Sequence, residues 1–404
     1  MERIDELACC SDDPSCITRT FGTEAFTDAA NLISAWMSEA GLETWIDNIG
    51  NVRGRLQSKY PSSKTFVIGS HFDTVINAGK FDGPLGIILA IDLLENLVEN
   101  KVEIPFNFEC VAFSDEEGVR FHTTYLGSKV LSGTFAEELL ELKDPGGNPI
   151  RTVLTELGKN VEALPDDAIP AGDWIGYYEI HIEQGPVLYE RNIPLAVVSG
   201  IAAQQRVMLQ FAGVSGHAGT VPMSMRQDAL CAAAECILST EKYALEYPDN
   251  FVATIGKIEV ANSASNVIPG TVSCSLDIRS IHKNILSLNS ANLQQLLESI
   301  CKKRNIGFQW TVIQESDPVY CDQQLKRLLT EAVKENGIEI MEMASGAGHD
   351  GVAISSVAPV AMLFVKCYKG ISHNPLENVE KKDIASAILV SESFLSGLIK
   401  KYQH

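Results

Sequence analysis

The chain has 404 residues, 45% of them apolar, with 52 acidic against 32 basic side chains and a formal charge of −20. That length predicts two or three domains with a sizeable core. The acidic balance, without any stripe of Lys or Arg, argues against nucleic acid as a partner, and a small anionic substrate would need local arginines to receive it.

The N-terminal MERIDELACCSDD is acidic from its second residue and has no apolar h-region, so it does not read as a signal peptide. No apolar run approaches the length of a membrane span. Ten cysteines without a C-x-x-C pair predict reduced thiols in a cytoplasmic protein. Thr65–Ile68 reads as a buried strand, and Leu85–Val98 follows with Ile87, Ile88, Ile91, Leu94 and Val98 at helical spacing. Phe106–Phe113 and Trp174–Ile182 read as further strands. From about Gln205 to Ser316 the pattern changes. Val207–Phe211, Val252–Ile258, Thr271–Ile278 and Phe308–Ile313 alternate in polarity as half-exposed antiparallel strands do, and the helices Arg226–Tyr243 and Leu288–Arg304 interrupt them. That β-α-β-β-α-β order predicts a small two-layer domain over 205–316, inserted between a first part, 1–204, and a second part, 317–404, of a larger one. Pro359–Val365 is a last strand and Lys381–Ile399 a closing helix. Strands alternating with helices predict an α/β class, a sheet covered on both faces.

Lining up the strand exits brings out the chemistry. The first strand empties into GSHFDTV and KFDGPLG, with His71, Asp73 and Asp82; the second into FSDEEGVRF, with Glu116 and Glu117. The third ends in YEIHIEQGP, with His181 and Gln184, and the late strand leads to ISHNP, with His373. Open α/β sheets bind ligands outside the carboxyl ends of their strands. Three histidines and several carboxylates at one rim suit divalent cations, and imidazole with carboxylate does not choose among Zn, Mn, Co and Ni. In extended chain His71 and Asp73 face the same way, so Asp73 can hold the imidazole. Asp82, before Gly83-Pro84, is expected to expose a carboxylate able to bridge two ions. Adjacent Glu116 and Glu117 should point apart, which suits one ligand and one general base.

GSHFDTV, KFDGPLG, FSDEEGVRF, HIEQGP, SGHAGTVPM, NVIPG, SGAGHDG and ISHNP together resemble the dinuclear M20 amidohydrolases of the hydantoinase/carbamoylase group. That group holds allantoate amidohydrolases, N-carbamoyl-L-amino-acid hydrolases, ureidoglycolate amidohydrolases and β-ureidopropionases. The resemblance spans nearly the whole chain in family order. It implies a two-domain metallohydrolase, a mixed-sheet catalytic domain with an inserted lid through which a homodimer forms. It further implies two divalent ions per subunit, held by His71, bridging Asp82, Glu117, His181 and His373. Glu116 would be the base, Asp73 the support of His71, and the lid histidine His217 a donor to the oxyanion, acting across the dimer.

Around the ureido and carboxylate groups of the substrate the resemblance places Gln184, Asn266, Arg279, Gly348 and His349. Arg206 stands where allantoate amidohydrolases are similar in carrying Arg and carbamoylases tend to be apolar, so allantoate is the favoured substrate, with release of ammonia and carbon dioxide. Ala203 departs from the family, which often has Gly there. Gly346, Gly348 and Gly351 also spell G-x-G-x-x-G, but Lys366 and Cys367 stand where a ribose-binding acid is wanted, so a dinucleotide site is not expected. Two other readings compete. HIEQGP and SHNP speak against an M20 peptidase, and intact Glu116 with five ligands speaks against a non-catalytic binding protein.

Overall fold

A computed structural model describes residues 1–60, 64–247 and 251–403. Strands β1 (Glu43–Ile46), β2 (Val52–Leu56), β3 (Thr65–His71), β4 (Asn107–Phe113), β5 (Trp174–Ile182) and β6 (Leu195–Ile201) come first. Strands β7 (Ala203–Ala212), β8 (Gly216–His217), β9 (Val252–Val260), β10 (Val267–Ile268), β11 (Thr271–Ser280) and β12 (Gly307–Ser316) follow. The chain closes with β13 (Val319–Tyr320), β14 (Glu342–Ser345) and β15 (Val360–Val365). Two compact units result: Met1–Ser199 with Tyr320–His404, and Gly200–Val319.

The first unit is built on a mixed sheet in the order β1-β2-β4-β3-β5-β15-β6-β13, with β14 also on β6. Its centre, β4-β3-β5-β15, is parallel, while β2 and β6 join it antiparallel on either side. Every residue of the four central strands is buried. Their sequences therefore run apolar without alternation, because helices cover both faces. Phe66 and Phe108 meet edge to face at 6.0 Å, and Phe394 of the helix Lys381–Tyr402 lies 6.2 Å from Phe66. Burying each such ring contributes about 1.5–3 kcal/mol. From β3 the chain passes to β4 on one side and then to β5 on the other, so the carboxyl ends of β3 and β5 flank a topological switch point.

The helix Pro84–Glu99 leaves this point with proline at its first turn. Its first two turns are buried on all sides, more than its helical spacing of apolar residues required. Gly83 precedes it at φ 83°, and a Cβ there would fall on the ring and carbonyl of His71. Only glycine lets the Asp82 turn lie against that histidine.

In the second unit the sheet order is β12-β7-β11-β9, antiparallel throughout, with β8 and β10 as a separate pair. Val207, Leu209 and Phe211 pack with Ala232 and Ala233 of the helix Ala229–Leu245 and with Leu293 and Leu297 of the helix Lys283–Lys303. The intervening residues of β7 are part- or fully exposed, the alternation of a two-layer sheet. Asp228 starts the first helix by accepting the N–H groups of Leu230 and Cys231, both at 3.0 Å. The ten cysteines form no disulfide. Among the described residues no helix is long and apolar enough to cross a membrane.

Candidate metal centre

His71 ends β3 and His181 lies near the end of β5; both are buried. His71 Nδ1 is 3.0 Å from the carbonyl oxygen of Asp73, and His181 Nδ1 is 2.9 Å from that of Ile182. A carbonyl only accepts, so in the neutral rings Nδ1 carries the proton and Nε2 presents a lone pair. The two Nε2 atoms face each other at 3.4 Å. Two opposed lone pairs repel unless a proton or a cation lies between them.

Asp82 corrects the expectation of an exposed carboxylate: it is 4% exposed. Gly83 allows the turn to fold under His71, and Glu377 Oε1 draws it inward by accepting the N–H groups of Phe81 at 2.7 Å and Asp82 at 3.0 Å. Asp82 Oδ1 lies 3.2 Å from His181 Nε2 and 3.9 Å from His71 Nε2. Oδ2 lies 3.1 Å from His373 Nε2 and accepts the Ser372 hydroxyl at 2.7 Å. His373 Nε2 is also 3.4 Å from Glu117 Oε1. Donor atoms of His71, Asp82 and His181 thus lie within 4.8 Å of one another, and so do those of Asp82, Glu117 and His373.

Glu116 and Glu117 do not point apart as extended neighbours would. Asp115, at φ 51°, breaks the strand geometry. The two Asp73 carboxylate oxygens accept the N–H groups of Glu116 at 3.0 Å and Glu117 at 3.1 Å. Both side chains therefore converge on His71, with donor atoms of all three within 4.8 Å. Asp73 departs from expectation as well. Its carbonyl holds the His71 ring, whereas its carboxylate, 3.7 Å from Nδ1, holds the glutamate loop.

This crowding is electrostatically unbalanced. Burial, then the charges of Glu117, Asp350, Asp73 and Glu179, pushes the Glu116 carboxyl well above the usual range. Burial and the charge of Asp82 take Glu117 to about 8. Burial alone would lower His181, yet its hydrogen bond to Asp82 and the nearby charges carry it to about 9. His373 also rises to about 9, first through its hydrogen bond to Asp82. Protons here compensate what cations compensate better: carboxylates too close to ionise together and imidazoles aimed at one point. The donor set fits divalent ions.

Gln184, expected at the substrate, is part of the centre. At φ 58° it donates its amide to Asp82 Oδ1 at 3.2 Å and Oδ2 at 3.0 Å. His349 is buried edge-on against the His181 ring at 4.5 Å, its Nε2 2.8 Å from Ser345 Oγ. Gly348 lies against the Tyr125 hydroxyl, where a Cβ would collide. Three residues escaped the sequence reading. Ser372 and Glu377 flank His373, and Glu179, fully buried, shares the face of β5 with His181 two positions on. Strand periodicity could have found Glu179.

In the second unit, the exposed His217 pairs with Val267, next to Asn266. Its Nδ1 accepts the Gly219 N–H at 3.0 Å, so the neutral ring carries its proton on Nε2 as a donor. Arg206 and Arg279 meet at Asp277, which the sequence reading passed over although it stands in the same D-I-R triplet.

Comparison with known proteins places these observations. The Peptidase family M20/M25/M40 pattern matches residues 67–397. Allantoate deiminase 2 of Glycine max is 41% identical over 431 residues, covering 98% of this chain and 88% of that protein. N-carbamoyl-L-amino acid amidohydrolase of Geobacillus stearothermophilus is 36% identical over 385 residues, covering 95% and 94%. The crystal structure of an amidase of the hydantoinase/carbamoylase family from Burkholderia multivorans matches with a TM-score of 0.90 at 30% identity, covering 98% and 96% of the two chains.

Proposed function

This chain belongs to the peptidase M20/M25/M40 family, and from that premise we propose that it is a two-cation amidohydrolase cleaving the carbamoyl C–N bond of a small ureido acid, allantoate before an N-carbamoyl-L-amino acid. The observation that carries the proposal is Asp82, whose two oxygens face two different donor sets. His71, Asp82 and His181 would hold one ion, and Asp82, Glu117 and His373 the other, zinc or manganese before cobalt or nickel. Such ions, when bound, lower the pKa of water and polarise a carbonyl.

The chain's own groups do the rest. Glu116 takes a proton from the attacking water and returns it to the leaving nitrogen. Asp73 keeps the backbone of Glu116 and Glu117 in place, and His217 donates Nε2–H to the developing oxyanion. Arg279 receives the substrate carboxylate, assisted by Asn266, Gly348 and His349, while Arg206 reaches the second ureido arm that allantoate alone offers. The relatives named for allantoate and for N-carbamoyl amino acids support this order of substrates. Homodimerisation through the inserted unit completes the proposal.

Ammonia release from allantoate, N-carbamoyl-L-amino acids and dipeptides tests it. The expected result is ammonia from the ureido acids, allantoate fastest, and no cleavage of dipeptides; dipeptide cleavage with inert ureido acids would make the chain a peptidase. Arg206→Ala should cost allantoate about tenfold in kcat/KM, as for one lost charged hydrogen bond, and N-carbamoylglycine much less. Equal losses on both substrates would remove Arg206 from the specificity argument.

A further inference from the structure

Arg19, which the sequence reading passed over, is only 1% exposed although it carries a charge. Its Nε donates to the carbonyl of Phe72 at 2.6 Å, and its Nη1 to the carbonyls of Leu7 and Cys10, both at 2.9 Å. Leu7 ends the short helix Glu2–Leu7, whereas Phe72 stands between His71 and Asp73. The backbone of Arg19 is engaged as well. Its N–H donates to Thr74 Oγ1 at 2.9 Å, and its carbonyl accepts the Thr74 N–H at 3.0 Å. Burial draws the guanidinium down to about 10, with Cys10, Asp73 and Asp12 opposing, so the group stays charged at neutral pH.

These bonds fall on either side of Asp73. Strand β3 ends at His71, and the Phe72 N–H still reaches the Phe113 carbonyl at 3.1 Å. Asp73, beyond that link, has two tasks: its carbonyl holds the His71 ring, and its carboxylate holds the N–H groups of Glu116 and Glu117. Both depend on how the peptide planes around Asp73 are turned, and Arg19 fixes the residue before it and the residue after it. A planar guanidinium can reach Phe72 with one edge and the N-terminal carbonyls with another, whereas an ammonium donates from a single point. An arginine that merely anchored the N-terminal helix would need the bonds to Leu7 and Cys10 but not those to Phe72 and Thr74.

We infer that Arg19 is a positioning residue of the metal centre, bridging the N-terminal segment to residues 72–74 so that Asp73 can aim His71 and Glu117 at the two ions. The inference rests on the proposed two-cation reading. Arg19 acts through Phe72 and Thr74 on Asp73, and through Asp73 on one ligand of each proposed ion set. Groups that orient metal ligands directly are worth about 10–100-fold in metal affinity, and Arg19 stands one step further out, so an effect of about tenfold is expected.

The test titrates zinc into metal-stripped wild type, Arg19→Lys and Thr74→Val against a competing chromophoric chelator, so that affinity is read without turnover. Melting of the metal-free proteins is followed alongside. Arg19→Lys keeps the charge but not the bridge, and it should bind zinc about tenfold more weakly than the wild type. Thr74→Val keeps the shape but removes the acceptor of the Arg19 N–H, and it should weaken zinc in the same direction by a smaller factor. A merely structural role would lower the melting temperature of the metal-free variants and leave the zinc affinity of the folded protein unchanged. Wild-type zinc affinity in folded Arg19→Lys therefore overturns the inference alone. If Arg19→Lys does not fold, Thr74→Val decides, and unchanged affinity there overturns it equally. A wild type that takes up no zinc overturns the proposed function, and the inference falls with it.

Discussion

Replacing Glu116 by glutamine should leave the bound metal unchanged and lower turnover by about 10²–10⁴-fold, the usual range for a lost general acid–base group. The substitution removes a proton carrier and keeps the shape. Both proposed ligand sets, His71 with Asp82 and His181, and Asp82 with Glu117 and His373, remain intact. Loss of fold cannot account for the result, because Glu116 is a buried carboxyl surrounded by the charges of Glu117, Asp350, Asp73 and Glu179. A neutral amide relieves that repulsion, so the metal-free variant should melt no lower than the wild type. Its KM should change little, since Glu116 is assigned to proton transfer and not to binding. Near-normal turnover would show that another group carries the proton.

Two inactive variants, His217→Ala and Glu116→Ala, should restore each other when co-expressed. The proposed dimer puts His217 in the service of the partner subunit's metal centre, while Glu116 serves its own. His217 suits that task as an exposed ring whose Nδ1 is already engaged by the Gly219 N–H, leaving Nε2–H to donate. A mixed dimer then has one complete site: the metal centre of the His217→Ala chain and the histidine of the Glu116→Ala chain. Random assembly makes half the dimers mixed, so recovery should approach about a quarter of wild-type activity in a two-fold dimer. Each variant alone should stay inactive at any concentration. Demonstrated mixing of the two chains without recovery would assign His217 to its own chain or to structure.

The sequence revealed the central strands because burial on both faces writes apolar runs without alternation, unbroken in β15 (VAMLFV) and carried by Val111–Phe113 at the end of β4. It was silent on β1 and β2, whose short segments ETWI and VRGRL carry charge. The two Arg residues of β2 reach the buried Glu109 of β4, a partner no local pattern announces. The ligand types were legible, since each lies at the end of a readable strand or in the loop that follows it. Their geometry was not. Asp82 is buried because Gly83 fits beneath His71 and because Glu377, nearly 300 positions on, grips the turn. Glu116 and Glu117 converge because Asp115 takes a left-handed conformation, at a cost of about 1 kcal/mol that sequence does not display. Asp73 was identified by its spacing from His71, but the extended-chain argument chose the wrong atom, since the ladder stops at His71.

The account turns on Asp82 joining two ion sites in a ureido hydrolase. Stripping the protein with chelator and adding back zinc or manganese, while ammonia release from allantoate is followed at each step, tests this most directly. Activity should be absent in the stripped protein and rise to a plateau at two equivalents per chain, with elemental analysis of the plateau sample giving two ions. A plateau at one equivalent, or ammonia release from the fully stripped protein, would contradict it.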